Sequence, residues 1–174
     1  MKKILLLLSV VAIAIFGYLT TQGLLTSVEV EQAEQGGFLL VGKHHLGAYY
    51  TIGDVFTELH GLAPDGHFMG VYFDDPDQVP EDSCRSFAGW QVASAAEGLA
   101  WVAAHPDHSL FEIQKRRAVY CDWPHAQGLG VLMGTLKAYP ALGEAAFATG
   151  EYTPEAMLAF EDYGKEGMRF VMQY

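Results

Sequence analysis

The chain has 174 residues, enough for one compact domain with a hydrophobic core and a short additional segment. Hydrophobic residues make up 51% of the chain, a share that excludes intrinsic disorder. The formal net charge is −11, and an acidic surface repels phosphate backbones, so the composition argues against a nucleic-acid partner.

The first element is an apolar run from Ile4 to Leu25 that contains no charged residue. A helix needs roughly 20 such residues to cross a bilayer, so the run predicts a transmembrane helix. A cleaved signal peptide is the alternative, and it requires a small-x-small cleavage site after the apolar stretch. The nearby site of that kind, Ala12-Ile13-Ala14, lies inside the run, which favours an uncleaved signal anchor.

The charges beside this helix predict its orientation. Lys2 and Lys3 precede it, and Glu29 is the first charged residue after it. By the positive-inside rule the N-terminus is expected in the cytoplasm and the domain outside it, which in a bacterium is the periplasm. The chain thus divides into an anchor, residues 1–26, and a domain, residues 27–174.

The first half of the domain combines extended runs with one helix. Extended structure is expected at residues 28–46, 67–76 and 85–93, where β-branched and aromatic residues dominate. Between the first two runs, apolar residues recur at helical spacing and predict an amphipathic helix that ends near Gly61. This stripe consists of Ile52, Val55, Phe56 and Leu59.

The second half repeats the pattern. Extended structure is expected at 111–114, 117–122, 156–160 and 168–172, and the last two runs flank a turn at 163–167. Pro124 suits the first turn of a helix, and a short helical insertion is expected at 141–148. The apolar stripe of this second helix consists of Leu129, Leu132, Met133 and Leu136.

The two stripes are 77 residues apart, so the order strand–helix–strand–strand occurs twice. One such unit leaves a sheet face bare, whereas two units can share one sheet. The sequence therefore predicts an α+β fold of duplicated β-α-β-β units, with both helices on one face of an antiparallel sheet. The opposite face is expected to be concave and partly open, where ligand pockets tend to form.

Four stretches resemble GyrI-like domains, closest to the membrane-anchored GyrI-like proteins typified by the testis-expressed ER-phagy receptor. His45 to Tyr49 is similar to the family's H-x-G-x-Y junction, and Gly70 to Pro76 to its G-x-Y-Y-D-x-P strand end. Val28 to Val30 matches the start of the anchored group's domain. Val79 to Arg85 matches its V-P-x-D-x-C-R stretch. The resemblance implies the GyrI-like (SOUL-like) fold and a groove for small apolar or cationic molecules.

The resemblance also bears on catalysis, because some soluble members hydrolyse strained cyclopropane compounds. They use a Glu in an E-x-Y pattern in the penultimate strand. Alignment on the neighbouring residues places this Glu at Met157 and the Tyr at Ala159, which argues against an enzyme. Hydrolysis would then need another carboxylate, such as Glu112 or Glu161.

An apolar ligand-binding groove on the open sheet face is expected to be lined by aromatic and methionine side chains. The alternative is that the same residues fill the hydrophobic core. The candidate ligand-binding residues are Tyr49, Tyr72, Trp90, Tyr120, Trp123 and Met157. No cofactor or metal is expected, since His44 and His45 on one strand point to opposite faces. Cys84 and Cys121 suit buried small apolar positions, and a single disulfide is the alternative.

The leading functional hypothesis is a membrane-tethered, non-catalytic module that binds a small hydrophobic ligand or a protein partner. A hydrolase acting on small reactive compounds in the groove is the second hypothesis. A structural accessory subunit of a membrane complex is the third.

Overall fold

The computed structural model describes residues 2–153 and 157–174. The helices in this part of the chain are α1 (Lys2–Thr21), α2 (Gly53–Leu62), α3 (Ala95–Ala104) and α4 (Leu129–Ala148). The strands are β1 (Glu31–Gln35), β2 (Phe38–Leu46), β3 (Phe68–Tyr72), β4 (Arg85–Gln91), β5 (Ser109–Ile113), β6 (Arg116–Trp123), β7 (Leu158–Tyr163) and β8 (Met168–Gln173). Short 3₁₀ turns cover Tyr49–Ile52 and Glu81–Ser83.

Helix α1 is the N-terminal apolar helix expected from the sequence. Its 20 residues contain no buried position. At about 1.5 Å per residue it is about 30 Å long, the thickness of a bilayer's hydrocarbon core. Among the described residues it is the one helix with the length and composition to cross a membrane, a property that signal sequences share.

All eight strands form one sheet in the order β1-β6-β8-β7-β3-β4-β2-β5, and every neighbouring pair is antiparallel. One unit consists of β2, α2, β3 and β4, and the second of β6, α4, β7 and β8. The units meet at the centre of the sheet, where β3 pairs with β7. The predicted duplicated α+β fold is thereby confirmed.

The two ends of the sheet are joined to each other. The β1–β6 ladder runs to the pair Gln35–Arg116, and the β2–β5 ladder resumes in the same register at Phe38–Ile113. Between them lies Gly36-Gly37, whose φ angles of 111° and 84° suit glycine. Strands β1 and β5 are the first and last strands of the sheet order. Because the β1–β6 ladder continues directly into the β2–β5 ladder, the two ends of the sheet are brought together and the sheet curls toward a barrel.

The face without helices is the inside of this curl, and it is filled with apolar side chains. The rings of Phe38 and Phe160 lie 6.2 Å apart although two strands separate β2 from β7. The buried residues of this interior are Leu40, Met69, Val71, Phe87, Ile113, Ala118, Phe160 and Val171. The expectation of an open concave groove is therefore wrong for most of this face.

One end of the interior remains open. A cavity of about 450 Å³ there is lined by His44, His45, Leu46, Phe73, Arg85, Ser86 and Phe111. The ring of His44 packs against Phe87, with the ring centroids 5.0 Å apart. The predicted partial opening is therefore limited to this cavity, which is lined largely by aromatic rings at one end of the interior.

The predicted stripe of α2 faces the sheet as expected. Ile52 and Leu59 are buried, and Val55 and Phe56 are half-buried against the same cluster. The periodicity therefore identified the correct face of this helix.

The predicted stripe of α4 is wrong. Leu129, Leu132 and Leu136 are 41%, 53% and 64% exposed, and Met133 is half-buried. The buried residues of α4 are mostly small: Gly130, Gly134, Ala138, Leu142 and Ala146. A Cβ atom at Gly134 would lie 2.8 Å from Cδ1 of Trp123, so only a small residue permits this close approach of helix and sheet.

Two further expectations for this region need correction. Pro124 precedes α4 rather than opening it, because the helix begins at Leu129 after Gly128. The predicted insertion at 141–148 is the second half of α4, which continues through Pro140. Pro140 lies on the exposed side of the helix, where the carbonyl freed by the missing N–H can be solvated.

Helix α3 was not expected, and it packs on β2 and β5. Its sequence does carry a start signal, because the Ser94 hydroxyl accepts a hydrogen bond from the amide of Glu97. The remaining strands follow the predictions, except that the run expected at 156–160 begins outside the described residues and β7 extends to Tyr163. Cys84 and Cys121 are buried and unpaired, as the apolar interpretation predicts.

Candidate functional site

The most unusual group on the helix-covered face is the carboxylate of Glu161. This residue lies on β7, whose neighbours are β3 and β8 at the centre of the sheet. Alternation along the strand turns Phe160 into the barrel interior and Glu161 toward the helices. Glu161 is only 4% exposed, a rare state for an acidic side chain.

Three tyrosine hydroxyls donate hydrogen bonds to this carboxylate. Tyr72 of β3 donates to Oε2 at 2.9 Å, and Tyr139 of α4 donates to Oε1 at 3.0 Å. Tyr163, two residues further along β7, also donates to Oε2. Because the donors come from three elements, the position of the carboxylate is fixed by the tertiary fold.

The electrostatic state of Glu161 reflects two opposing effects. Burial raises the pKa of its carboxyl group above 4.5, while the three tyrosine hydrogen bonds act in the opposite direction. Burial also raises the pKa values of Tyr72, Tyr139 and Tyr163 well above 10, so these hydroxyls remain donors. None of the ion pairs among the described residues involves Glu161, so its charge has no counter-ion there.

Aromatic rings from the α2 region cover the carboxylate. Phe56 of α2 packs edge-on against Tyr163, with the ring centroids 5.3 Å apart. Tyr49, in the 3₁₀ turn before α2, packs against Tyr72 at 4.9 Å. Gly70 makes room for this arrangement, since a Cβ atom there would lie 3.0 Å from the Tyr72 hydroxyl. Glu161 therefore lies at the base of an aromatic enclosure.

A hydrogen-bonded corner holds Tyr49 in place. The Tyr49 hydroxyl donates to the carbonyl of Asp74 at 2.7 Å, and the Asp74 carboxylate binds the Arg85 guanidinium through both oxygens. The amide of Gly47 donates to the carbonyl of Cys84 at 2.9 Å. Burial raises the pKa of Tyr49 to about 12, and Arg85 lowers that of Asp74. Three of the four stretches that resemble GyrI-like domains meet at this corner.

The structure brings together two of the candidate ligand-binding residues, Tyr49 and Tyr72, beside Glu161. Trp90 lies in the core of the same face and packs against Trp101 at 5.0 Å. Trp123 is buried under α4 and donates from Nε1 to the Gly130 carbonyl at 2.8 Å. Tyr120 points to the other face and donates to Glu31 at 2.5 Å.

Met157, where the sequence comparison predicts the family's acidic position, lies outside the central strands. It lies before β7 and is half-buried in the cluster under α4, where its sulfur accepts a hydrogen bond from Tyr152. The penultimate strand itself contains the E-x-Y pattern at Glu161-Asp162-Tyr163, four residues further along. The placement of the family's acid at Met157 stays a prediction, and Glu161 in this pattern is the alternative position. The other carboxylate considered, Glu112, is exposed on β5.

Two known proteins are distantly similar to this chain in sequence. No family model matches the chain. Human testis-expressed protein 264 is 28% identical over 153 residues, which cover 80% of this chain and 45% of that protein. The mouse homologue is 28% identical over 127 residues, which cover 69% of this chain and 41% of its own length. The chain therefore spans less than half the length of these relatives.

Solved structures support the fold. An integron cassette protein from the mobile metagenome of Vibrio cholerae has a TM-score of 0.52 at 9% identity, covering 84% of this chain and 97% of its own. The protein SAV2435 bound to tetraphenylphosphonium has a TM-score of 0.52 at 10% identity, covering 83% of this chain and 93% of its own. At such identities the likeness shows the fold alone, which is GyrI-like.

Proposed function

We propose that this domain binds a small lipophilic cation on its helix-covered face, with Glu161 as the counter-charge, and that α1 tethers it to a membrane. The observation that carries the proposal is the buried carboxylate, which three tyrosines hold in place and which forms no ion pair with a basic side chain in residues 2–153 and 157–174. The leading ligand class is therefore narrower than the hydrophobic molecule expected from the sequence.

The physical argument rests on the cost of burying a charge. An ionised carboxylate in an apolar site is unfavourable unless it is paired, and a ligand cation supplies the missing partner. The rings of Tyr49, Tyr72, Tyr163 and Phe56 lie around this carboxylate, and a ring face that contacts the ligand adds cation–π attraction. A protein of the same fold has been solved with tetraphenylphosphonium bound, which supports this ligand class.

Access to Glu161 requires a movement of the α2 region. Leu59 is the one fully buried residue among the ten of α2, so little packing opposes displacement of this helix. Phe56 is the ring of α2 that covers Tyr163, and it must move aside for a ligand to reach the carboxylate.

The tether is the second part of the proposal. Helix α1 has the length and apolar composition of a single membrane span. Lys2 and Lys3 before it and the acidic domain after it support a cytoplasmic N-terminus and an extracytoplasmic domain.

Titration calorimetry with tetraphenylphosphonium tests the proposed site in the full chain, solubilised in a non-ionic detergent. Glu161→Gln should weaken binding by about 30-fold or more, because loss of a buried charge pair costs about 2–5 kcal/mol. Glu112→Gln is the matched control, since it removes an exposed carboxylate of the same type. Equal affinity in the Glu161→Gln variant would refute the proposed role of this residue.

Hydrolysis of a small reactive compound in the same enclosure is the second candidate function. It is favoured by the raised pKa of Glu161, because a carboxyl group that stays protonated can serve as a general acid. Steady release of product from a nitrophenyl ester, abolished by Glu161→Gln and retained by Glu112→Gln, would assign an enzyme.

A further inference from the structure

The segment that follows α1 is fixed to α4. The Lys137 ammonium group donates hydrogen bonds to the carbonyls of Gly23 at 3.0 Å, Leu24 at 2.6 Å and Thr26 at 2.8 Å. The Thr26 hydroxyl also bonds to Nε2 of His125 at 3.0 Å. An ammonium group placed at the C-terminal end of a helix, here the end of α1, binds carbonyls that have no intrahelical partner and complements the helix dipole. Lys137 thus links the end of α1 to α4.

Two further contacts make this joint close-packed. The side-chain carbonyl of Gln22 accepts a hydrogen bond from the amide of Gly130 at 3.2 Å. Gly23 has a φ of 96° and lies against the indole of Trp123, where a Cβ atom would come within 2.9 Å of Cη2. The connection between α1 and the domain is therefore an ordered structure rather than an extended linker.

An exposed apolar stripe begins beside this joint. Leu129, Leu132 and Leu136 are spaced i, i+3 and i+7 along the first two turns of α4, on the side away from the sheet. Leu25, within the joint itself, is 71% exposed. These leucines do not belong to the core side of the helix, whose buried residues are mostly glycine and alanine.

The length of α1 places the joint at the surface of the bilayer. A helix of 20 residues spans about 30 Å, which is the full hydrocarbon thickness. Gln22 to Thr26 then lie at the interface, and α4 is hydrogen-bonded to them through the Gly130 amide and the Lys137 side chain.

We infer that the first two turns of α4 rest on the membrane that holds α1, with Leu129, Leu132 and Leu136 inserted among the lipids. This inference rests on the proposed tether. The contact is apolar rather than electrostatic, because residues 27–174 carry eight basic and 21 acidic side chains. Tyr139 follows Leu136 by less than one turn, so the stripe and the Glu161 site share one helix.

Photolabelling of the unmodified full chain tests this contact. The protein is reconstituted into phosphatidylcholine vesicles that contain a phosphatidylcholine with a diazirine in its acyl chain, and labelled residues are identified by mass spectrometry. The expected labels lie in α1 and at residues 129–136 of α4, with none at Leu99. Leu99 is the control because it is a 59% exposed leucine on α3, which packs on the far strands β2 and β5.

The labelling pattern distinguishes failure of the α4–membrane contact from failure of the α1 tether. Labels in α1 without labels in α4 overturn the inference alone, and labels in neither helix overturn the tether as well. Leu132→Asp with Leu136→Asp should lower labelling of α4 several-fold and leave α1 unchanged, whereas Leu99→Asp should change neither. A dimer seen by single-molecule photobleaching, with α4 unlabelled, would assign the stripe to a second copy of the chain and overturn the inference.

Discussion

The two helices of the duplicated fold contact the sheet in different ways. Helix α4 approaches it through five buried residues, four of them glycine or alanine, and directs Leu129, Leu132 and Leu136 outward. Helix α2 has one fully buried residue, Leu59, and covers the sheet with the half-buried ring of Phe56. Both helices occupy equivalent positions in their β-α-β-β units, so the difference arose within one architecture.

The difference separates two tasks. Close packing of α4 fixes Tyr139 at the carboxylate and Lys137 at the end of α1. Looser packing of α2 agrees with the proposed movement of this helix away from Glu161. In the proposed function, one unit holds the domain at the membrane and the other gives access to the site.

The largest expected effect follows from the close packing of α4. Gly134→Val should destabilise the protein by about 3 kcal/mol, because the added atoms would overlap Trp123 and Phe170. Gly61→Ala on α2 should stabilise it by up to about 1 kcal/mol, because no atom lies within 4 Å of the new methyl group. Thermal unfolding of the detergent-solubilised chain, followed by circular dichroism, measures both. Equal effects at the two glycines would show that the helices pack alike.

The pH dependence of stability tests whether the carboxylate between the helices is desolvated. Above pH 4.5 the unfolded chain loses the Glu161 proton, while the folded protein keeps it up to its raised pKa. Stability should therefore fall as pH rises through this window, by about 1.4 kcal/mol for each pH unit by which the pKa is raised. Denaturant unfolding from pH 4 to 8 should show a smaller fall for Glu161→Gln. If stability fell equally with pH in the unmodified protein and in Glu161→Gln, desolvation of the Glu161 carboxyl group would be contradicted.

Removal of the Phe56 ring tests whether α2, rather than α4, limits the entry of a ligand to Glu161. Phe56→Ala should cost about 1 kcal/mol of stability, because the ring is half-buried, and should speed association of tetraphenylphosphonium several-fold. Phe147→Ala on α4 is the control, since that ring is exposed and distant from Glu161. Stopped-flow fluorescence measures the rates, and an unchanged rate for Phe56→Ala would show that this ring does not limit entry.

The smallest expected effect concerns the aspartate–arginine pairs of the two units. Asp74→Asn should cost about 1 kcal/mol, because the largely buried Asp74 side chain also accepts a hydrogen bond from the Arg85 amide at 2.7 Å. Asp122→Asn, which weakens the exposed pair with Arg169, should leave stability unchanged. Thermal unfolding of both variants decides this, and equal losses would mean that the corner around Tyr49 has no special role.

The sequence predicted the duplicated fold because periodicity reports which residues share a helix face. It succeeded for α2, whose Leu59 is buried together with Ile52 of the preceding 3₁₀ turn. It failed for α4, where the small residues are buried, because a helix that is apolar on all sides gives no signal for the side that packs. The Ser94–Glu97 pattern would have revealed α3.

The functional site was only partly predictable. Tyr49 and Tyr72 were among the candidates, but the carboxylate beside them was considered only as an alternative, because the alignment placed the family's acid at Met157, four residues earlier. A direct search for E-x-Y would have found Glu161-Asp162-Tyr163. The contribution of Tyr139 depends on the approach of α4 to the sheet, a tertiary relation that spacing along the chain does not contain.

Hydrogen–deuterium exchange of the full chain, with and without saturating tetraphenylphosphonium, tests most directly whether α2 controls access to Glu161. The free protein should exchange the amides of α2 about 100-fold faster than those of α4, as expected for a helix with one buried residue. Added ligand should change exchange in α2 and leave the first two turns of α4 unaltered. Equal protection of the two helices, or a ligand effect that spares α2, would contradict this account.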